Sequence, residues 1–172
     1  MFEILKIMFR KIQLFFLVCL CASLFLSSIE IKAQSGKLPP FRIMQTNGTV
    51  FKAEQLPFEK PIIVAYFDPE CHDCQTFMGK LFSKISNFKS ASIAFITNVS
   101  TDAVAKFAIK YKISNYKNMV VGTEGVSSFI GNYYHYPQLP FVALYDKNGN
   151  LITTYQKNIP IDELITKLTQ LK

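Results

Sequence analysis

The sequence contains no tryptophan, only four cysteines and no run of basic residues. Four of its 19 Lys and Arg residues lie within positions 1–33, and the remaining 15 are scattered among 10 acidic residues. Basic residues distributed in this way are typical of a solvated surface and argue against a nucleic-acid interface. The chain also lacks internal repeats, low-complexity tracts and a second apolar core. Its 172 residues therefore favour one domain of ordinary size.

Residues 1–33 have the pattern of an export signal. Three basic residues precede a nearly continuous apolar run over residues 14–29, and Ala33 supplies a small residue at the end of the segment. The apolar run is short for a membrane-spanning helix, which needs about 20 residues. We therefore expect an exported, periplasmic protein whose residues 1–33 are a signal peptide. An uncleaved N-terminal membrane anchor is the alternative.

The rest of the chain alternates between strand patterns and helix patterns. Residues 34–40 are polar and contain prolines, which is typical of a linker, and a single domain is predicted over residues 41–172. An Asn47-Gly48 turn predicts an N-terminal β-hairpin. Further strands are predicted over residues 62–67, 92–97, 119–121, 141–145 and 151–155, and helices over residues 75–88, 101–111, 126–133 and 161–168. This order predicts an α/β fold with a mixed central sheet and helices on both of its faces.

Cys71 and Cys74 are the only cysteines beyond residue 33, and they stand two residues apart in the stretch FDPECHDC. This motif follows a buried-strand pattern and precedes a helix pattern. A thiol in the first turn of a helix lies beside unpaired N–H groups at the positive end of the dipole, which favours the thiolate. A disulfide across so short a loop contributes little to stability. The motif therefore favours redox exchange over a structural cross-link.

With this order of elements and this cysteine motif, the chain resembles the thioredoxin superfamily, and more narrowly the exported TlpA/ResA type of thiol–disulfide oxidoreductase. The resemblance spans residues 38–171. It rests on the N-terminal hairpin, the stretch Phe67–Gln75, an insertion within residues 111–136 and the stretch Leu139–Leu151. It implies a thioredoxin fold with a short βα insertion before the strand that follows a cis-proline. It also implies an enzyme that needs no cofactor.

The resemblance assigns roles to four residues. Cys71 corresponds to the attacking cysteine, Cys74 to the resolving one, and Leu139 and Pro140 to the substrate-binding loop, with Pro140 as the cis-proline. Because proline has no backbone donor, an extended substrate can pair with the groups beside it. The implied partners are exported proteins with cysteines or disulfides and a membrane thiol donor. Contact with the membrane is expected only through an uncleaved N-terminus.

Several residues depart from the family pattern. Ala65 stands where thioredoxin has a buried Asp, and Glu70 replaces the Trp that precedes the first cysteine. The inner pair His72-Asp73 differs from the pairs found in thioredoxin and in its oxidant relatives. Carboxylates disfavour a nearby thiolate, whereas a protonated His favours it. Because Asp68, Glu70 and Asp73 outnumber His72, we expect these redox-tuning residues to give a reductant or a mid-potential exchanger.

The sequence also allows two other functions. Cys71, Cys74 and His135 offer the sulfur and imidazole ligands that suit Cu(I) or Zn²⁺, so a copper- or zinc-delivery module is the alternative function. Related copper-delivery proteins, however, have three residues between their cysteines. A peroxidase would share the fold, but Pro and Thr do not stand before Cys71 in the pattern that lowers the pKa of a peroxidatic thiol.

Overall fold

The computed structural model describes residues 36–135 and 137–171, and the predicted export segment lies outside these ranges. Seven strands and four α-helices alternate along this part of the chain. The strands are β1 (Arg42–Met44), β2 (Val50–Lys52), β3 (Ile62–Tyr66), β4 (Ser92–Thr97), β5 (Met119–Thr123), β6 (Phe141–Tyr145) and β7 (Leu151–Gln156). The helices are α1 (His72–Ser83), α2 (Thr101–Lys110), α3 (Phe129–Tyr133) and α4 (Ile161–Gln170).

The strands form one mixed sheet in the order β2-β1-β5-β4-β3-β6-β7. β3, β4 and β5 run parallel to one another, whereas β6 and β7 on one side and β1 and β2 on the other pair antiparallel. The predicted N-terminal hairpin is present, and Gly48 in its turn has φ +79°, which glycine adopts without strain. The predicted βα insertion consists of β5 and α3. The predicted fold class is therefore confirmed.

Side-chain alternation along β3 divides the core into two layers. Ile63 and Ala65 face a cluster formed with α1, α2 and α4, whereas Ile62 and Val64 face a second cluster formed with α3 and the N-terminal segment. All four side chains are fully buried. A continuous apolar run of this kind is what a central strand needs when both of its faces are covered.

Helix α1 is shorter than the predicted segment of residues 75–88. It begins three residues earlier, at His72, and ends at Ser83, because Lys84 leaves the helical conformation with φ −114° and ψ 24°. A 3₁₀ turn over Ile85–Phe88 then carries the remaining apolar residues into the core. The apolar periodicity thus continues across two different kinds of helix.

The helix predicted over residues 126–133 is interrupted. A 3₁₀ turn over Gly125–Ser127 precedes α3, and between them Ser128 adopts a left-handed conformation with φ 44°. Only α3 places its apolar side in the core, through Ile130.

The described part of the predicted linker pairs with the domain. The Leu38 N–H donates to the Gly149 carbonyl at 2.9 Å, and the Leu151 N–H donates to the Gly36 carbonyl at 2.8 Å. Residues 36–40 thus lie along the turn between β6 and β7. Within residues 36–135 and 137–171, no helix combines the length and the apolar character that crossing a bilayer requires.

Candidate active site

Strand β3 leads the chain to the carboxyl edge of the sheet, where the cysteine motif begins. Phe67 is buried and donates its N–H to the carbonyl of Ile96 on β4 at 3.0 Å. Asp68 then turns the chain. Its Oδ1 accepts from the Glu70 N–H at 2.8 Å, and its carbonyl accepts from the Cys71 N–H at 3.2 Å. Turns of this kind are typical of Asp, and this one fixes the start of α1.

Helix α1 is capped by a cysteine sulfur. Cys71 is the N-cap residue, and its Sγ accepts from the backbone N–H of Cys74 at 3.4 Å. The sulfur occupies the place where a Ser or Asp oxygen usually satisfies an unpaired N–H group of the first turn. The helix therefore begins at His72 and not at Gln75, and Cys71 lies at the positive end of the helix dipole.

The two thiols differ in exposure. Both are free, Cys71 is half-buried, and Cys74 is only 1% exposed. Burial raises the pKa of Cys74 to about 12. The backbone amide of Asp68 acts in the opposite direction, while Cys71 and the charge of Asp68 raise the pKa further. Cys74 is therefore a protonated thiol at neutral pH, and Cys71 is the sulfur that a partner in solution can reach.

The residues predicted to tune the redox potential lie on different sides of the first turn of α1. Glu70 and His72 are exposed. Asp73 lines a cleft together with Lys80 and Lys157, so its carboxylate shares that cleft with two cations. Their combined effect on the redox potential stays a prediction.

The predicted substrate-binding loop lies at the same edge of the sheet as the cysteine motif. The Leu139–Pro140 peptide bond is cis, as expected. Phe141 follows it directly and pairs with Tyr66, the last residue of β3. Leu139 packs against the same apolar cluster as Cys71. The fold thus brings together the loop and the motif, which are far apart in the sequence.

His135 does not join the cysteines. It follows α3, in which Ile130 packs on the opposite face of the sheet from Cys74, and Tyr134 directly after the helix packs on that same face. Among residues 36–135 and 137–171, no three His, Cys, Asp or Glu side chains are grouped so that they could hold a metal ion. The metal site expected from Cys71, Cys74 and His135 is therefore not formed in this part of the chain.

A pocket of about 200 Å³, which the sequence did not predict, separates the motif from helix α2. Cys74, Asp68 and Glu70 border it from the motif side. Lys106 and Lys110 border it from α2, one helical turn apart. No local sequence pattern indicates this arrangement, because it depends on how α1 and α2 pack side by side on the sheet.

Ala65 lies in the interior of the domain, beneath the cysteine motif. Its side chain is fully buried in the cluster that contains Cys74, and no Asp, Glu, Lys, Arg or His side chain in the described part of the chain is buried. The interior beneath the motif therefore contributes no acid–base group of that kind. Charged side chains do border the pocket that Cys74 also borders.

Comparison with protein-family models and with curated protein sequences finds no match. Comparison with solved structures finds a thioredoxin fold. A secreted disulfide oxidoreductase of Mycobacterium tuberculosis, homologous to E. coli DsbE, is 21% identical over 77% of this chain and 96% of its own, with a TM-score of 0.61. An exposed lipoprotein thioredoxin of Streptococcus pneumoniae is 19% identical over 77% of this chain and 100% of its own, with a TM-score of 0.58.

The same fold also occurs in a peroxiredoxin-like protein of Aquifex aeolicus, which is 12% identical over 79% of this chain and 85% of its own, with a TM-score of 0.62. The chain thus has a thioredoxin-like α/β fold with two free cysteines at the start of a helix. Because structures with different names share this fold, the reaction has to be argued from the site itself.

Proposed function

We propose that the protein is a thiol–disulfide oxidoreductase that exchanges its Cys71/Cys74 dithiol–disulfide pair with exported protein substrates. The observation that carries the proposal is the unequal placement of the two thiols. Cys71 is accessible at the helix N-terminus, and Cys74 is buried one turn behind it with a pKa raised to about 12. Attack on a partner and release of that partner are thereby divided between two sulfurs.

The reaction follows from this division. The Cys71 thiolate attacks one sulfur of a substrate disulfide, which forms a mixed disulfide and releases the other substrate sulfur as a thiolate. Cys74 then loses its proton and attacks Cys71. The Cys71–Cys74 bond forms, the bond to the substrate breaks, and the substrate leaves with both of its sulfurs reduced. Two electrons pass from the protein to the substrate.

The substrate is proposed to lie along Leu139 and Pro140. Proline donates no hydrogen bond, and the Pro140 carbonyl already accepts from the Lys157 N–H at 2.8 Å. The backbone of Leu139 is then the group on this loop that pairs with an extended substrate segment. Its place at the edge of the sheet where β3 ends supports this role.

The proposal also includes export of the protein and the reduction of its Cys71–Cys74 disulfide after each reaction. The basic start, the apolar run and Ala33 support export with residues 1–33 as the signal peptide or an anchor. The structurally similar oxidoreductase of M. tuberculosis is a secreted protein, which agrees with export of this chain. A protein that reduces disulfides outside the cytoplasm needs a membrane thiol donor, which we propose as its upstream partner.

The test uses the reduced protein, Cys71→Ser and Cys74→Ser with an insulin disulfide as the model substrate. We expect the unmodified protein to catalyse insulin reduction by dithiothreitol and both variants to lose this activity. Cys74→Ser should accumulate a mixed disulfide on Cys71, and Cys71→Ser should not. If unmodified protein leaves the insulin reduction rate unchanged, the proposed activity is wrong.

The substrate and the location are tested in cells. Cys74→Ala should trap substrates as mixed disulfides, which mass spectrometry identifies. N-terminal sequencing of the protein recovered from an exporting host should give a start near Gln34. Recovery of intact Met1 from the membrane fraction would instead support the anchored form.

A further inference from the structure

Thiol exchange requires Cys74 to lose a proton before it can attack Cys71, because the thiolate is the nucleophile. Cys74 is 1% exposed and lies in an apolar cluster, so it does not lose that proton to bulk water directly. The same residue nevertheless borders the pocket between the motif and α2. This pocket is the route by which a base reaches the buried sulfur.

Two carboxylates border the pocket, and they are placed differently. The Glu70 side chain belongs to an exposed residue, whereas Asp68 is half-buried. Asp68 and Cys74 border the same pocket, and the backbone amide of Asp68 is close enough to lower the pKa of the Cys74 thiol against the effect of burial. Its Oδ1 is held by the Glu70 N–H at 2.8 Å. The carboxylate is therefore held in a fixed position on a residue that borders the same pocket as Cys74.

The other titratable groups at the pocket do not serve as the base. Lys106 and Lys110 border it from α2, and Tyr111 borders it directly after the end of that helix. The lysine ammonium groups carry no lone pair to receive a proton, and they favour a negative charge on a carboxylate across the pocket. These charges leave Asp68 as the acceptor that the site favours.

We propose that the Asp68 carboxylate accepts the proton of Cys74, through water in the pocket, during the step that releases the substrate. The inference rests on the proposed oxidoreductase function. A pocket of about 200 Å³ has room for several water molecules, since each occupies about 30 Å³ in the liquid. As the proton moves to Asp68, the Cys74 sulfur attacks Cys71 and the bond between Cys71 and the substrate breaks. The departing substrate thiolate takes up a proton, and the charge balances.

The variant Asp68→Asn separates the proposed acceptance of a proton from the structural role of Asp68 in the turn. Asn retains the oxygen that accepts from the Glu70 N–H, but it cannot take up the proton at neutral pH. The matched control is Asp102→Asn, which removes an exposed carboxylate from the first turn of the neighbouring helix α2. Circular dichroism and thermal unfolding establish that both variants are folded.

The experiment follows the reaction of the reduced protein with 5,5′-dithiobis(2-nitrobenzoate) by stopped flow. The first thionitrobenzoate is released when Cys71 attacks, and the second when Cys74 resolves the mixed disulfide. For Asp68→Asn we expect the second phase to slow by about 10²-fold at neutral pH, within the range typical of a general base. The first phase should not slow, and Asp102→Asn should behave like the unmodified protein.

The pH profile distinguishes proton transfer from a structural effect. With Asp68 present, the rate of the second phase should change little from neutral to mildly alkaline pH. Without it, the step depends on hydroxide and should speed up nearly tenfold per pH unit. Added formate should restore part of the lost rate by entering the pocket.

Three results would overturn the inference. The second phase of Asp68→Asn could match that of the unmodified protein, its slowing could leave the pH profile unchanged, or Glu70→Gln could produce the effect instead. If the unmodified protein releases no second thionitrobenzoate, it is the proposed function itself that fails.

Discussion

The backbone N–H of Cys74 donates to the sulfur of Cys71 at 3.4 Å, so one hydrogen bond both caps helix α1 and links the two cysteines of the motif. The contact keeps Cys71 at the exposed end of the helix while Cys74 points into the core. The asymmetry between the two thiols is therefore built into the first turn of the helix, and its consequences can be measured.

The first prediction concerns selective alkylation. At neutral pH iodoacetamide should label Cys71 of the folded, reduced protein and leave Cys74 unlabelled. With its pKa raised to about 12, only roughly 10⁻⁵ of the Cys74 thiol is ionised at pH 7. Mass mapping of the labelled peptides measures this, and both cysteines should react in denaturant. Preferential labelling of Cys74 in the folded protein would reverse the assigned roles.

The second prediction concerns stability in alkaline solution. Burial raises the pKa of Cys74 from its ordinary value of 9.0 to about 12, so the folded protein holds this proton more tightly than the unfolded chain. The stabilisation is fully present below pH 9 and is lost as the pH rises towards 12. A shift of three units corresponds to about 4 kcal/mol at most.

Reduced protein and Cys74→Ser provide the comparison, because a serine hydroxyl does not titrate in this range. The difference between their unfolding free energies, measured in urea at a series of pH values, should shrink from pH 9 upward. A difference that stays constant with pH would show that the thiol is not held neutral by the fold.

The third prediction concerns redox poise. If the carboxylates of Asp68, Glu70 and Asp73 disfavour the thiolate, less stabilisation of the reduced form makes the disulfide harder to reduce. The potential should then lie nearer to about −270 mV, the value of a reductant, than to about −120 mV, that of a strong oxidant. Titration in glutathione buffers measures it. A value above roughly −180 mV would mean that His72 or the helix dipole outweighs the acids.

The fourth prediction uses two glycines as a matched pair. A Cβ on Gly122 in β5 would lie 2.8 Å from the Met44 carbonyl and 2.9 Å from the Cβ of Ile43, so Gly122→Ala forces β1 away from β5. We expect the free energy of unfolding to fall by about 1–3 kcal/mol. Gly79 in α1 has open space around it, and Gly79→Ala should raise stability by about 0.5–1 kcal/mol.

Urea unfolding measures both variants, and neither should change the rate at which Cys71 is alkylated. A stable Gly122→Ala protein would contradict the close approach of β1 to β5. A destabilised Gly79→Ala protein would contradict the open environment of that helix position.

Local features of this protein were predictable from its residues alone. The apolar run over residues 62–67 predicted the central strand, and the Asn47-Gly48 turn predicted the hairpin. The position of Cys71 and Cys74 between a strand pattern and a helix pattern predicted that the cysteines lie at the start of a helix. These outcomes follow from the side-chain period of strands and helices and from turn chemistry. Each of these features depends on residues that are close together in the sequence, so the sequence alone is enough to predict it.

Tertiary packing was needed to establish which distant residues meet. Among the described residues His135 forms no three-ligand group with the cysteines, and the packing of α2 beside α1 creates the pocket that Asp68 and Cys74 share. Packing also sets the end of α1 at Ser83, although the apolar spacing runs on to Phe88. Periodicity shows that a residue is buried, but not which elements bury it. That choice depends on strand order and helix packing, which arise from interactions across the whole chain.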